Sequence, residues 1–194
     1  MPLGAFKAAL MGTAGVSTET VVLLYDTDHS NVSSVAITSG ITSTYGEYIF
    51  KWYNVNPVDA AALFTCQFNA AGESGFNETI TSTAFQTYHA EADNDTSLAV
   101  AGAQAQGTAN ESLSPQMGNA GDEHGCGELH LFNPASTTYV KHFYSTSIST
   151  YKGPAYAWQR FGAGYINTTT AIDEISFQMD TGNFDGTIKM WGVK

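Results

Sequence analysis

The feature that most constrains this chain is its two-residue periodicity. Runs rich in Val, Ile, Thr, Tyr, Phe and Trp alternate with small or polar residues, and the strong helix formers Leu, Lys, Arg and Glu are sparse. Such a run shows one face at every second residue, which suits a pleated strand. These residue types also fill a half-buried sheet better than a helix. Eleven segments read this way: 19–25, 32–38, 47–55, 63–69, 79–89, 111–117, 127–132, 138–149, 157–165, 174–179 and 186–193. Turn residues separate them. Asn56-Pro57 and Asn133-Pro134 end strands, because Pro cannot donate to a central ladder. The stretch DTGNFDG at 180–186 reads as a hairpin-like loop joining the last two runs. Only PVDAAAL at 57–63 has a helical character, of a turn or two. Two stretches read as surface loops: 91–106, small and polar, and 118–127, which holds four glycines.

Short strands at regular spacing, without alternating helices, argue an all-β fold. The expectation is an antiparallel β-sandwich of jelly-roll type with a short N-terminal arm. The 194 residues suit one domain, placed at 18–194, where no linker and no repeat occurs. Residues 1–17 are too rich in Gly and Ala for a strand and read as the arm. Their single Lys lies inside the apolar stretch, which makes a poor secretory signal. At the other end, Ile188, Met190 and Gly192 share one face, and Thr187, Lys189, Trp191 and Val193 share the other. The run before it is expected to bury Ile175, Phe177 and Met179.

Composition narrows the function. Charged residues are 13% of the chain, about half the usual quarter, and seven Lys+Arg against eighteen Asp+Glu leave a net charge of −11. So few scattered cations make no basic face for phosphates, so no nucleic-acid partner is expected. No apolar run approaches the roughly 18 residues of a membrane span. Aromatics at 12% argue a packed core and against disorder. Cys66 lies in an apolar run and reads as a small buried hydrophobe, while Cys126 follows a glycine-rich loop. Nothing in their spacing requires a disulfide, and the chain tolerates a reducing cytoplasm.

Chemical motifs are few. His124, Cys126 and His130 bring ligand types close together, but the spacing matches no structural zinc site. Carboxylates occur in near pairs: Asp26 and Asp28, Glu91 with Asp93 and Asp95, Asp122 and Glu123, Asp173 and Glu174, Asp180 and Asp185. Two acids on a groove suit glycoside hydrolysis, and Asp26-Thr-Asp28 at a strand end suits Ca²⁺, yet solvated loop acids are far commoner. Gly72-Glu-Ser74-Gly75 is not a nucleophile elbow, and neither a Walker A loop nor a dinucleotide fingerprint occurs. The aromatics fall into two groups. Tyr48, Phe50 and Trp52 share one face of a strand and read as core. Tyr151, Tyr156 and Trp158 are the candidate glycan-facing aromatics, because sugar-binding sandwiches expose Trp and Tyr beside polar groups.

Four ordered segments carry a resemblance. They are ITSGITSTYGEYIFKWYNVNP at 37–57, QFNAAGESGFNET at 67–79, GELHLFNPASTTYVKHF at 127–143, and NTTTAIDEISFQM at 167–179 with GTIKMWG at 186–192. Together they resemble virion structural proteins of marine tailed bacteriophages, of the cyanophage and pelagiphage type. The resemblance implies a non-enzymatic protein without cofactor or metal, made in the host cytoplasm and placed on the outer surface of the virion. It implies a head decoration or knob protein, or else a tail or tail-fibre component that binds a host surface glycan. The implied partners are the major capsid protein or tail proteins and further copies of the chain, for example in a trimer. Residues 1–17 resemble an attachment arm, with Pro2, Leu3, Phe6 and Leu10 as its contacts.

Overall fold

The computed structural model describes residues 20–151 and 156–194. The arm at 1–17, with Pro2, Leu3, Phe6 and Leu10, lies outside the described residues. The described chain is all-β and forms twelve strands. In order they are β1 (Val21–Val32), β2 (Ser34–Ile37), β3 (Glu47–Pro57), β4 (Phe64–Ala70), β5 (Ile80–Ala90) and β6 (Thr96–Ala101). Then follow β7 (Glu111–Ser112), β8 (Gly125–Phe132), β9 (Lys141–Tyr151), β10 (Tyr156–Ile166), β11 (Ile172–Met179) and β12 (Phe184–Val193).

They build two sheets, one of eight strands in the order β1-β12-β3-β8-β9-β10-β5-β6 and one of four in the order β2-β11-β4-β7. Every neighbouring pair is antiparallel. The chain crosses between the sheets at every connection except β5 to β6, β8 to β9 and β9 to β10, which stay in the larger sheet. Two hairpins, β5–β6 and β9–β10, stay in the larger sheet and extend it beyond β8.

The sheets meet in an aromatic core. The alternation read at 47–55 places Tyr48, Phe50 and Trp52 inward, all fully buried. Phe64 of β4 touches Trp52 of β3 (ring centroids 5.4 Å), Phe177 of β11 (5.7 Å) and Phe184 of β12 (5.5 Å). Phe50 meets Phe177 at 5.7 Å, and Phe68 meets Phe143 of β9 at 5.7 Å. Offset and edge-on pairs of this kind add to the area they bury. Tyr48 satisfies its buried hydroxyl by donating to the Thr42 carbonyl at 2.9 Å. Trp52 needs room on its own sheet, and a Cβ at Gly127 on neighbouring β8 would collide with its ring. Cys66 is buried in this core as the sequence indicates, and burial, with Glu111 adding, pushes its thiol well above the ordinary range.

Several expectations are corrected. β11 and β12 do not pair, because β11 belongs to the smaller sheet and β12 to the larger. The loop after Met179 therefore arches between sheets and is no hairpin; period-2 alternation says which face is buried but not which sheet a strand joins. The loop at 91–106 contains β6, whose small and polar residues hide its strand character. Segment 57–63 forms turns and one isolated bridge, Ala62 to Met117, instead of a helix. Only Glu111–Ser112 of the run at 111–117 is a strand. β1 runs on through Asp26, Asp28 and His29 to Val32, because a sheet edge leaves polar side chains in water.

β12 lies between β1 and β3, with Ile188 and Met190 buried under it. Deleting 186–194 splits the larger sheet and is expected to give insoluble protein. A truncated chain that stays soluble and melts cooperatively contradicts this.

Candidate functional site: an inner cleft and an uncovered sheet face

The two inserted hairpins invert the usual burial of an amphipathic strand. On β9 the inward residues after Phe143 are Ser145, Ser147 and Ser149, all buried, while Tyr144 and Ile148 point to solvent. The inward hydroxyls have work to do: Ser147 donates to the Leu113 carbonyl (2.8 Å) and Ser149 to the Gln116 carbonyl (2.9 Å). Ser114 in turn accepts from the Phe64 amide at 2.9 Å. The segment after β6 thus lies across the inner face of the hairpins, held by hydrogen bonds in place of apolar contact.

On β10 the same alternation turns Tyr156, Trp158 and Arg160 inward. Register sets Tyr88 of β5 opposite Trp158, Gln86 opposite Arg160, and Tyr151 of β9 opposite Tyr156. The structure brings the three sequence-selected aromatics together and adds a fourth. Trp158 lies 5.3 Å from Tyr88, 5.8 Å from Tyr151 and 6.3 Å from Tyr156, and Tyr88 lies 4.9 Å from Tyr156. Asp95 closes the outer end by accepting from the Tyr156 hydroxyl at 2.9 Å. That hydrogen bond, then burial, raises the phenol above its usual range.

Beside these rings a cleft of about 330 Å³ opens between β10, β5 and the crossing segment. Leu63, Gln86, Ala101, Gly102, Ser112, Gln116, Trp158 and Arg160 line it. Arg160 is the only arginine in the sequence and is 3% exposed. Its Nε donates to the Ser112 carbonyl (3.1 Å) and its Nη2 to the Gly102 carbonyl (2.6 Å). Glu111, 2% exposed, accepts from Ser82 Oγ (2.8 Å) and Gln104 Nε2 (3.1 Å). Burial pushes its carboxyl up, and those two hydrogen bonds and the charge of Arg160 pull it only part of the way back. Arg160 and Gln86 were not singled out in the sequence, although Arg160 sits two residues beyond Trp158 and therefore on the same face.

The outward face of the larger sheet divides in two. One row of paired residues crosses all eight strands: Asp26, Lys189, Lys51, Glu128, Thr146, Phe161, Phe85 and Val100. Its first half is ionic, with Lys189 on Asp26 at 2.9 Å and Lys51 on Glu128 at 3.1 Å. Nearby, His130 Nδ1 meets Glu47 at 2.5 Å and its ring stacks on Tyr144 with centroids 4.4 Å apart. The second half is apolar. Phe85 and Phe161 stack at 4.9 Å, Leu98 is 73% exposed and Val100 86%. No Asp, Glu, Lys or Arg points outward from β5, β6, β9 or β10.

The remaining motifs have structural partners. Asp28 accepts from Thr187 Oγ1 (2.6 Å), Asp180 from the Leu63 amide (2.7 Å) and Asp185 from the Asn31 amide (2.7 Å). Glu123 caps its own loop at the Ala120 amide, 2.9 Å away. Among the described residues no group of three or more His, Cys, Asp or Glu could hold a metal ion, and both cysteines are free. Comparison of the chain with family models, curated proteins and solved structures finds no match.

Glu111 generates a test of the buried charge beneath the cleft. A carboxyl whose folded pKa is raised adds stability below its unfolded pKa, about 4.3, and that contribution is lost as pH rises through the folded value. Glu111→Gln removes this titration. Its unfolding free energy, relative to the native chain, is expected to improve between pH 4 and pH 7, measured by denaturant titration at both. An offset that is equal at the two pH values contradicts the assignment.

Proposed function

We propose that this chain is a non-enzymatic structural protein of the outer surface of a tailed-phage virion, a head decoration or knob protein that assembles with further copies of itself. The family is that of the resemblance carried by 37–57, 67–79, 127–143 and 167–179 with 186–192. The strand order supports a jelly roll. The sets β1-β12-β3-β8 and β2-β11-β4-β7 make two interlocked four-stranded sheets, to which the two hairpins are added.

The observation that carries the assembly reading is the edge strand β6. Natural edges are blunted by Lys, Pro, inward charges or bulges, because unpaired N–H and C=O groups recruit other strands. The opposite edge, β1, has such devices: Asp26, Asp28 and two breaks in its register. β6 reads TSLAVA, pairs with β5 without a register break, and carries no charge and no Pro. It borders the uncharged apolar half of the outer face. On a chain of net charge −11, this is where a second equally acidic copy can approach without like-charge repulsion. The simplest closed arrangement is a two-fold in which β6 pairs antiparallel with β6 of a second copy and the apolar halves become continuous.

Val100→Lys combined with Leu98→Glu places charge on this edge while touching no buried contact. The double variant is expected to be monomeric by light scattering where the native chain is associated, with stability changed by no more than about 0.5 kcal/mol. A native chain that is monomeric at every concentration, or a variant that associates equally well, contradicts the edge assignment. Placement on the virion is tested by quantitative mass spectrometry of purified particles. A copy number equal to the shell protein, or a simple fraction of it, is expected, and absence from particles overturns the reading.

A further inference from the structure

We propose that the cleft under β10 binds a carboxylate-bearing saccharide, with the sugar acid's carboxylate on Arg160 and its ring against Trp158. This inference rests on the cleft alone and stands apart from the assembly reading.

The guanidinium is the first observation. It uses two of its five N–H donors on the Gly102 and Ser112 carbonyls. Among the described residues the other three have no protein acceptor and no carboxylate lies within ion-pairing distance, Glu111 acting on the guanidinium only from further away. Burying a permanent cation without a paired anion is costly. A chain with eighteen acids and one arginine has nonetheless put that arginine into a cavity wall at 3% exposure. An incoming carboxylate would meet the planar fork in the bidentate geometry that guanidinium suits.

The second observation is independent of the first. Trp158 lines the same cleft, and its Nε1 is buried without a hydrogen-bond partner. Of the six buried polar atoms without a partner among the described residues, Trp158 Nε1 is the one whose residue lines this cleft, where a ligand can bring an acceptor. The cleft also offers the side-chain amides of Gln86 and Gln116. An apolar ring, amides that both donate and accept, and a fixed cation match one sugar ring with hydroxyls and a carboxylate. A volume of about 330 Å³ lies at the small end of ligand sites and suits one or two rings. Charge sets the valence. Glu111 lies within Coulombic reach of Arg160, and Asp95 closes the aromatic end. A single negative charge on Arg160 is tolerated there, and a phosphate dianion is disfavoured.

The acidity of the chain makes the test sharp. At net charge −11 any preference for the anionic form must come from a local cation. The full chain is titrated calorimetrically with trigalacturonate, its fully methylated ester, galactotriose, N-acetylneuraminic acid and galactose 6-phosphate. At least one of the two carboxylated ligands is expected to bind about tenfold or more tighter than the neutral galactotriose. For trigalacturonate the same margin is expected over its ester. The trigalacturonate and N-acetylneuraminic acid arms distinguish a polyuronate from a sialylated source. Trp158→Phe keeps an aromatic ring but loses the indole donor and part of the ring's contact area; it is expected to weaken binding about two- to tenfold in a chain that still melts cooperatively. Arg160→Lys keeps the charge, loses the fork, and is expected to lower affinity for the acid alone. Failure of both acids to bind, equal binding of acid and ester, or preference for the phosphate overturns the proposal. So does full affinity in a folded Trp158→Phe variant.

Discussion

A four-stranded sheet cannot cover an eight-stranded one, and this mismatch governs the molecule. The smaller sheet packs its aromatic residues over β12 and β3 and reaches β9 through Phe68 and Phe143. There the core follows the ordinary rule of large apolar side chains interlocked between two pleated faces. Past Phe143 on β9 a different partner lies across the sheet, the backbone of the segment after β6, and backbone demands hydrogen bonds. The inner face of the hairpins answers with Ser147, Ser149 and Arg160, each bound to a carbonyl of that segment.

Where the inner face is polar, large side chains of the same strands lie outside, while Tyr88, Tyr151, Tyr156 and Trp158 gather inward at one end of the hairpins. Tyr144, Ile148, Phe161, Phe85, Leu98 and Val100 are the outward partners of inward Ser, Gly, Ala and Arg. Monomeric proteins rarely leave such a contiguous surface in water. Opposite it, on β1, β12, β3 and β8, the outer face is held by Asp26–Lys189 and Lys51–Glu128 contacts and suits solvent. One sheet therefore carries an ionic half and an uncharged half rich in exposed apolar side chains, and the boundary falls where the inserted hairpins begin. The same insertion opens the cleft, because a loop follows a sheet less closely than another sheet would.

How much of this was legible depended on which partner a strand meets. Where β3 meets another sheet, the alternation of Tyr48, Phe50 and Trp52 with polar residues states its own burial. On β9 the alternation is just as regular, but hydrophobicity alone would turn Tyr144 and Ile148 inward; only the carbonyls of Leu113 and Gln116 show why the serines win. β6 was invisible because Ala and Ser carry little strand character and acidic turn residues precede them. The gathering of Tyr151, Tyr156 and Trp158 was legible, since hairpin register brings them side by side. Arg160 was missed although the same alternation puts it on the face of Trp158, whereas Tyr88 and Gln86 required the non-sequential pairing of β10 with β5.

The most direct test of the divided outer face is hydroxyl-radical footprinting of assembled protein against dilute monomer. The account predicts protection confined to Phe85, Leu98, Val100, Ile148 and Phe161, with Leu23, Tyr53 and Trp191 on the ionic half equally reactive in both states. Protection spread evenly over both halves, or confined to the ionic half, would contradict it.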